Sequence, residues 1–347
     1  MSDTKDQTFI LAGKPTIRMG LGLMGLTAGL DEPLPDEQAF TVIKTSLDAD
    51  ANLLNTALFY GSEEDPLSNL KLLGRFFETY PKYKDKAIVS VKGGMIGKFS
   101  GSGVGLLCDS YEYLKNEILI AKDLLKGKEI DIFAPARLPD DRPLEETINN
   151  LIELQKEGLF KTIGLSEVSY KTIEKINNLT NGEKISSNEI EISLQTLNDS
   201  EILKTIKICE KLNIKIIGYS PFGHGFLSGK ITKNLNEIGK KDWRNFLPRL
   251  SNENFNKNLN LLNEIKNLSK KNNKSIVELI LGSILNFNKI IIPLPGTINF
   301  QKVSQNVNVT KIILSDEEMK EILEIIERNP VFGNRYPDVG MGLVVSC

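Results

Sequence analysis

The sequence predicts an α/β fold, a single (β/α)8 TIM barrel, and three observations predict it. From Met19 onward, short apolar runs rich in β-branched residues alternate with segments of helical period, giving eight strand–helix pairs. The 347 residues are enough for one large barrel or two ordinary domains. No linker-like shift in composition divides them, so residues 1–347 read as one domain. Barrel strands are expected from about residue 19 to 295 and a C-terminal tail from about 329.

The elements follow in order. Thr8–Leu11 and Thr16–Arg18 flank Ala12-Gly13-Lys14-Pro15 and read as a hairpin closing the bottom of the barrel. Met19–Gly25 is a short strand running into glycines, and Glu37–Ala49 a helix with Phe40, Ile43 and Leu47 on one face. A strand ending near Asn55 precedes a helix carrying Leu70, Leu73, Phe76 and Phe77, which Tyr80-Pro81 ends. A strand ends at Lys92, and a long glycine-rich loop, Gly93–Gly105, leads to a helix over Ser110–Leu125. Alternation continues with strands at Ile130–Ala134, Thr162–Ser166, Ser187–Ile192 and Ile214–Tyr219. The helices between and after them are Leu144–Lys156, Tyr170–Leu179 and Ser200–Leu212. A stretch containing Trp243 precedes helices at Asn254–Asn272 and Ser275–Leu285, then the strand Lys289–Pro293. Two extra C-terminal helices, around Gln301–Asn306 and Asp316–Glu327, complete the pattern.

Composition narrows the function. The 43 basic and 45 acidic residues nearly cancel, so neither nucleic acid nor another polyanion is an expected partner. Cys108, Cys209 and Cys347 are few, odd in number and far apart, which suggests neither a disulfide framework nor a metal cluster and fits a reducing, cytoplasmic location. His224 is the only histidine, which excludes a histidine-rich zinc site. The N-terminus lacks the apolar core of a signal peptide, and no apolar run approaches the roughly 20 residues that span a bilayer. The partner expected is a small molecule, bound by a monomer or a weak homo-oligomer without metal.

Two strand ends carry the chemistry. In Leu53-Leu54-Asn55-Thr56-Ala57-Leu58-Phe59-Tyr60-Gly61 an apolar run delivers a tyrosine before a glycine; in Ala87-Ile88-Val89-Ser90-Val91-Lys92-Gly93-Gly94 it delivers a lysine. In a barrel all strand C-termini share one rim, and glycine there leaves room for a ligand. A lysine near a tyrosine stabilises the phenolate, so Tyr60 and Lys92 form a candidate acid pair. The same rim gathers Met24, Asn55, Ala136-Arg137, Ser166-Glu167, Glu189, Tyr219-Ser220-Pro221 and Pro295-Gly296-Thr297. The last turn opens a helix whose free N–H groups suit a phosphate. Gly20-Leu21-Gly22-Leu23-Met24-Gly25 also spells a dinucleotide fingerprint, but Leu26–Pro33 breaks any helix directly after it. These glycines therefore read as clearance at a strand end.

Five motifs in this order resemble the aldo-keto reductases across nearly the whole chain: Asn55–Gly61, Ser90-Val91-Lys92-Gly93, Ile163-Gly164-Leu165-Ser166, Gly218-Tyr219-Ser220-Pro221-Phe222-Gly223 and Ile292–Thr297. The resemblance implies an NADPH-dependent carbonyl reductase with Tyr60 as proton donor and Lys92 lowering its pKa. It implies that Ser166 and Glu189 hold the nicotinamide carboxamide and that Tyr219 stacks on the ring. Ser220–Gly229, with Pro221, Phe222, Gly223 and Leu227, would wrap the pyrophosphate. Gly296, Thr297 and Lys302 would hold the adenosine 2′-phosphate, with Gln305 and Asn306 at the adenine; Met24 and Glu167 join the cofactor set by position.

The chain departs from the family's Asp, Tyr, Lys and His tetrad. Asn55 stands in the aspartate position and Ala136 in the histidine position, and Glu167 replaces a common asparagine. These changes leave Tyr60 and Lys92 as the acid and open space beside the carbonyl. Asn55, the Ser-Val-Lys-Gly-Gly run and Ala136-Arg137 together resemble the fungal pyridoxal reductases, as do Asn69–Phe77 and Phe246–Arg249 before Asn252–Phe255. That branch implies reduction of pyridoxal to pyridoxine, in vitamin B6 metabolism, with Ala136, Arg137 and Trp243 on the substrate side. A general aldehyde reductase and a catalytically weak, NADPH-binding regulatory subunit are the alternatives. His224 reads either as a cofactor-phosphate contact or as a loop residue covering the rim. Trp243 reads as a substrate lid, a loop closing over cofactor, or packing on the barrel.

Overall fold

The computed structural model describes residues 9–28, 33–96, 106–139, 142–180, 185–229 and 242–341. Residues 1–8, the tip 97–105 of the expected glycine-rich loop, and 342–347 with Cys347 lie outside them.

β-branched and apolar runs form eight parallel strands: β3 (Gly20–Gly22), β4 (Leu53–Ala57), β5 (Ile88–Gly93), β8 (Ile132–Pro135), β9 (Thr162–Ser166), β10 (Ile185–Glu191), β11 (Lys215–Tyr219) and β12 (Ile291–Leu294). They lie in one sheet in chain order. The sheet curls until its first and last strands meet at a parallel bridge between Gly22 and Gly296, with Gly22 N donating to Pro295 O at 3.1 Å. Helices α1 (Asp36–Asp48), α2 (Ser68–Thr79), α3 (Tyr111–Leu124), α4 (Leu144–Lys156), α5 (Tyr170–Leu179), α6 (Ser200–Lys211) and α8 (Ile276–Phe287) follow successive strands from β3 to β11 and bury one face each on the sheet. After β11 the chain inserts α7 (Asn252–Lys271), and after β12 come α9 (Phe300–Asn308), α10 (Asp316–Arg328) and α11 (Asp338–Met341). The expected (β/α)8 barrel is the fold observed.

The hairpin β1 (Phe9–Leu11) and β2 (Lys14–Thr16) sends Leu11 into the barrel floor, where it packs with Leu53, Ile88, Ile132, Ile217 and Ile292. Its turn is two residues, Ala12 and Gly13 at φ 48° and 77°, not the expected four. Lys14 and Pro15 belong to the strand, because both central positions of a primed turn need positive φ. Lys14 Nζ then reaches Asp131 Oδ1 at 3.0 Å, a buried carboxylate shared with Lys128. The reading of Gly93–Gly105 as plain loop also needs correction: β6 (Met95–Ile96) and β7 (Leu106–Leu107) pair antiparallel above the rim.

Ser110, Ser169, Asp199, Ser251, Ser275, Asn299 and Ser315 cap α3, α5, α6, α7, α8, α9 and α10 by accepting first-turn N–H groups. Helices α5, α6 and α10 start at the residue the periodicity predicts, and α3, α7, α8 and α9 within one or two residues of it.

Candidate active site

The top of the barrel brings Asn55, Lys92 and Glu189 together from β4, β5 and β10. Lys92 Nζ donates to Asn55 Oδ1 at 2.6 Å and to the two oxygens of Glu189 at 2.9 and 3.0 Å. Asn55 Nδ2 donates to Glu189 Oε2 at 2.7 Å, closing a three-residue ring of bonds. The Lys92 and Glu189 side chains are 5% and 7% exposed, so the ion pair is shielded from water. Tyr60 follows β4 on a short loop, and the Lys92 ammonium lies 5.1 Å from its ring centroid.

This loop is held from below. Asn69, fully buried on α2, accepts from Thr56 Oγ1 at 2.6 Å and donates to Leu23 O at 2.9 Å and Thr27 Oγ1 at 2.7 Å. Thr27 Oγ1 in turn donates to Tyr60 O at 2.7 Å. One amide thus ties together the loops carrying Met24 and Tyr60.

The electrostatics are those of a buried, coupled group. Burial raises the Tyr60 phenol; Lys92 and Arg137 oppose that shift, and Glu189 adds to it, for a net rise. Burial alone would lower Lys92, but Glu189 and Tyr60 outweigh it and hold the ammonium above its ordinary pKa. Arg137 turns toward the site: its Nη1 donates to Ala136 O at 2.6 Å and to Ser166 Oγ at 3.3 Å. Ala136 is buried, with its N–H on Gly93 O at 2.8 Å.

The rim glycines do not all leave room for a ligand. A Cβ on Gly93 would meet Glu117 Oε2 at 2.6 Å and Phe133 Cζ at 2.9 Å, and one on Gly61 would meet Asp65 O at 2.0 Å. Protein atoms occupy the clearance that the sequence reading assigned to a ligand at these two positions.

A second buried cluster adjoins the first, and the arginine at its centre was not legible in the sequence. Arg335, from the segment after α10, donates through Nη2 to Glu167 Oε1 at 2.5 Å and to Tyr219 OH at 3.0 Å, and through Nε to Glu191 Oε2 at 3.1 Å. Arg249 Nη1 donates to Glu191 Oε1 at 3.0 Å, and Tyr219 OH donates to Glu167 Oε1 at 2.7 Å. Burial alone would raise both carboxyls, but Arg335 with Arg249 at Glu191, and Arg335 with Arg137 at Glu167, hold both below the usual carboxylate range. Glu189 and Glu191 are two apart on β10 and so share its inward face, a signal that strand periodicity did offer. For Arg335 the sequence carried no periodic signal.

The remaining expected residues are placed as follows. Tyr219 is partly buried, its hydroxyl pinned by Glu167, Arg335 and Tyr336. From Ser220 to Gly229 the loop turns through positive φ at Ser220, Gly223, His224, Gly225 and Gly229. Pro221, Gly223 and Leu227 are buried and Phe222 packs partly against the core. His224 accepts or donates at Nδ1 with Ser220 Oγ at 3.0 Å and lies 3.7 Å from Glu191 through Nε2. Trp243 packs edge-on against its ring at 5.1 Å, and Arg244 donates to its carbonyl at 3.3 Å. Both residues therefore sit in the packing over this loop. Gly296 lies at the barrel seam, Thr297 Oγ1 accepts from Asn299 N at 3.2 Å, and Lys302 stands in the first turn of α9. Asn306 is buried, whereas Gln305 is exposed in a surface groove with Ser275 and Glu278. Met24, 37% exposed, stands at the rim in a short 3-10 turn. Among the described residues no cluster of His, Cys, Asp and Glu forms a metal site, and no helix is long and apolar enough to cross a membrane.

Known proteins carry the same frame. Residues 18–327 match the model of the aldo/keto reductase family. The chain is 33% identical over 326 residues to a probable pyridoxal reductase 2 of Schizosaccharomyces pombe, covering 92% of this chain and 94% of that one. It is 28% identical over 320 residues to an NADP(+) aldo-keto reductase, yakc, of the same organism, covering 92% and 91%. In fold it is similar to the glycerol dehydrogenase AKR11B4 from Gluconobacter oxydans, with a TM-score of 0.77 at 23% identity over 93% of this chain and 96% of that one. With the barrel, its rim motifs and this match over most of its length, the chain belongs to the aldo/keto reductase family, oxidoreductases that act on small-molecule carbonyls.

Proposed function

We propose that the protein is an NADPH-dependent reductase that converts pyridoxal to pyridoxine, with Tyr60 as the proton donor. The observation that carries this reading is the buried Lys92 cation, 5.1 Å from the Tyr60 ring centroid and clamped by Glu189 and Asn55. Bound NADPH would supply the hydride. Tyr60 would give its proton to the carbonyl oxygen as negative charge grows there. Lys92 stabilises the phenolate left behind, which is electrostatic work done best in a dry site.

The donor set fits that cofactor. Thr297 offers a hydroxyl and Lys302 an ammonium at the N-terminus of α9, where backbone N–H groups and the helix dipole favour a phosphate. The pinned hydroxyl of Tyr219 fixes the orientation of its ring for stacking. The likeness to yakc, an NADP(+) aldo-keto reductase, supports the same choice.

Pyridoxal is favoured by the likeness to a probable pyridoxal reductase and by the chemistry beside Tyr60. Ala136 supplies no donor to the carbonyl oxygen, so a substrate that activates its own aldehyde suffers least. The pyridoxal aldehyde is conjugated to an electron-poor ring and flanked by a phenolic oxygen, and Arg137 stands near enough to act on the Tyr60 phenol. The test is the loss of NADPH absorbance with pyridoxal, an aliphatic aldehyde, xylose and a simple ketone at one cofactor concentration. Pyridoxal should give the highest kcat/KM. If xylose or the ketone exceeds it, the pyridoxal assignment is wrong while carbonyl reduction stands.

A further inference from the structure

The Lys92 ammonium needs a counter-charge, because an unpaired buried cation is strongly disfavoured. Asn55, the residue of β4 that contacts it, is neutral. We propose that Glu189, reaching from β10 across the barrel mouth, is the positioning residue that supplies this charge and keeps Lys92 protonated beside Tyr60. The inference rests on the reductase reading for its consequence in catalysis, but on geometry alone for the pairing.

The geometry is specific. Both Glu189 oxygens lie within 3.0 Å of Lys92 Nζ, and Asn55 bridges the two groups, accepting from the ammonium through Oδ1 and donating to the carboxylate through Nδ2. The amide at position 55 performs both tasks, which an aspartate could not: it has no N–H to give and would set a second carboxylate against Glu189. Asn55 and Glu189 are thus a matched set, one neutral and one charged. A carboxylate at 55 with an amide at 189 would be the same set with the charge moved to the other strand. The charged and titratable groups around Lys92 are Glu189 from β10, Tyr60 from the loop after β4 and, through Tyr60, Arg137 from the loop after β8; beyond Gly93 stands Glu117 on α3.

The sign of the effect follows. With Glu189 present, the folded protein holds Lys92 above its ordinary pKa near 10.5. The pair's stability is therefore complete below that value and is lost as pH rises through the folded pKa. In Glu189→Gln the larger of the two influences that oppose burial is gone and only Tyr60 remains against it, so the folded pKa is expected to fall below the ordinary value. The variant is then destabilised at neutral pH and recovers as pH rises.

The experiment measures the thermal midpoint of the cofactor-free protein from pH 7 to 9.5 in wild type, Glu189→Gln, Asn55→Asp/Glu189→Gln and Lys92→Met/Glu189→Gln. Glu189→Gln should have a lower midpoint at pH 7 that rises relative to wild type as pH rises. Both double variants should regain most of the lost midpoint, one by moving the charge and the other by removing the cation. If Glu189→Gln does not fold, the two double variants still should. A Glu189→Gln midpoint that tracks wild type at every pH, or double variants no better than the single, overturns the pairing. In turnover, the alkaline limb of kcat in Glu189→Gln should move to lower pH by about one unit or more, since loss of one negative charge lowers both Lys92 and Tyr60. Asn55→Asp/Glu189→Gln should return the limb toward its original place. A wild type that turns over no aldehyde would overturn the reductase reading, while the midpoints still decide the pairing.

Discussion

Arg335 and Glu167 are separated by 168 positions in the chain and joined by a bond of 2.5 Å, with side chains 2% and 0% exposed. The same guanidinium reaches Glu191, so the segment after α10 pairs with two carboxylates buried under the barrel rim, with Arg249 as the second cation at Glu191. It also fixes Tyr219, the ring proposed to receive the nicotinamide.

Arg335→Ala should therefore destabilise the fold by about 3–5 kcal/mol, the usual cost of breaking a buried pair from one side. The loss should depend on pH. Glu167 and Glu191 are held below their ordinary 4.5, so their contribution is present above that value and is lost as pH falls through the folded pKa values. Urea unfolding at pH 7 and at pH 4 should show a large gap between wild type and variant at the first and a smaller one at the second. An equal gap at both would mean that Arg335 acts by packing alone.

Glu117 carries the opposite sign. Burial pushes its carboxyl up to about 7, against the bonds from Gly94 N and Tyr113. A folded pKa above the unfolded value of 4.5 means that stability falls as pH rises from about 4.5 to 7 and levels off above. Glu117→Gln keeps an oxygen for Gly94 N and removes the ionisation. The variant should be the more stable protein at pH 8, on the order of 1–3 kcal/mol by linkage. Its melting temperature should also change less between pH 5 and 8. A parallel pH dependence in the two proteins would show that Glu117 titrates normally.

The barrel was legible because its signals are local and repeated. Each strand is a short β-branched run, each helix an apolar stripe, and the strand ends set Asn55, Tyr60, Lys92 and Glu189 on one rim. Partnership across the rim was not legible. The resemblance sets Glu189 at a cofactor amide and gives no sign that its carboxylate lies on Lys92, a contact between strands that are not neighbours in the sheet. Arg335 could not be read at all, since a lone arginine in an aperiodic tail carries no mark of what it meets. The two-residue turn at Ala12-Gly13 was hidden by Pro15, which imitates a turn residue while standing in a strand. The room at Gly93 was hidden because a glycine says that a Cβ does not fit and leaves open whether ligand or protein fills the space.

Cofactor choice should follow Lys302. A charge-assisted contact to a 2′-phosphate is worth roughly 1.5–3 kcal/mol. NADPH should thus bind about tenfold tighter than NADH or better, as a gap of about 1.4 kcal/mol implies. Lys302→Ala should weaken NADPH and leave NADH nearly unchanged in a fluorescence titration. Equal dissociation constants in the wild type would remove the 2′-phosphate from this helix end.

Tyr60→Phe isolates the acid. Only the hydroxyl is lost, so the Lys92, Glu189 and Asn55 ring of bonds should persist. Turnover should fall by roughly 10²–10⁴, the usual weight of a positioned general acid, with NADPH affinity within a few-fold. Turnover near wild type would require another proton source.

Arg137 separates substrate from chemistry. Its guanidinium bonds Ser166 Oγ and lowers the Tyr60 phenol from one side of the site. Removing that positive charge in Arg137→Met should raise Tyr60 further and move the alkaline limb of kcat to higher pH, the reverse of Glu189→Gln. The same variant should also lose its hold on a substrate that presents an anionic oxygen beside the aldehyde. A lost hydrogen bond to a charged group, roughly 1.5–3 kcal/mol, corresponds to about a 10–100-fold rise in KM for pyridoxal. Benzaldehyde, which has no such oxygen, should show little change in KM. Steady-state kinetics on both aldehydes, run across pH, distinguish the two effects. Equal losses on both substrates would mean that Arg137 serves the acid alone and that pyridoxal is recognised elsewhere on the rim.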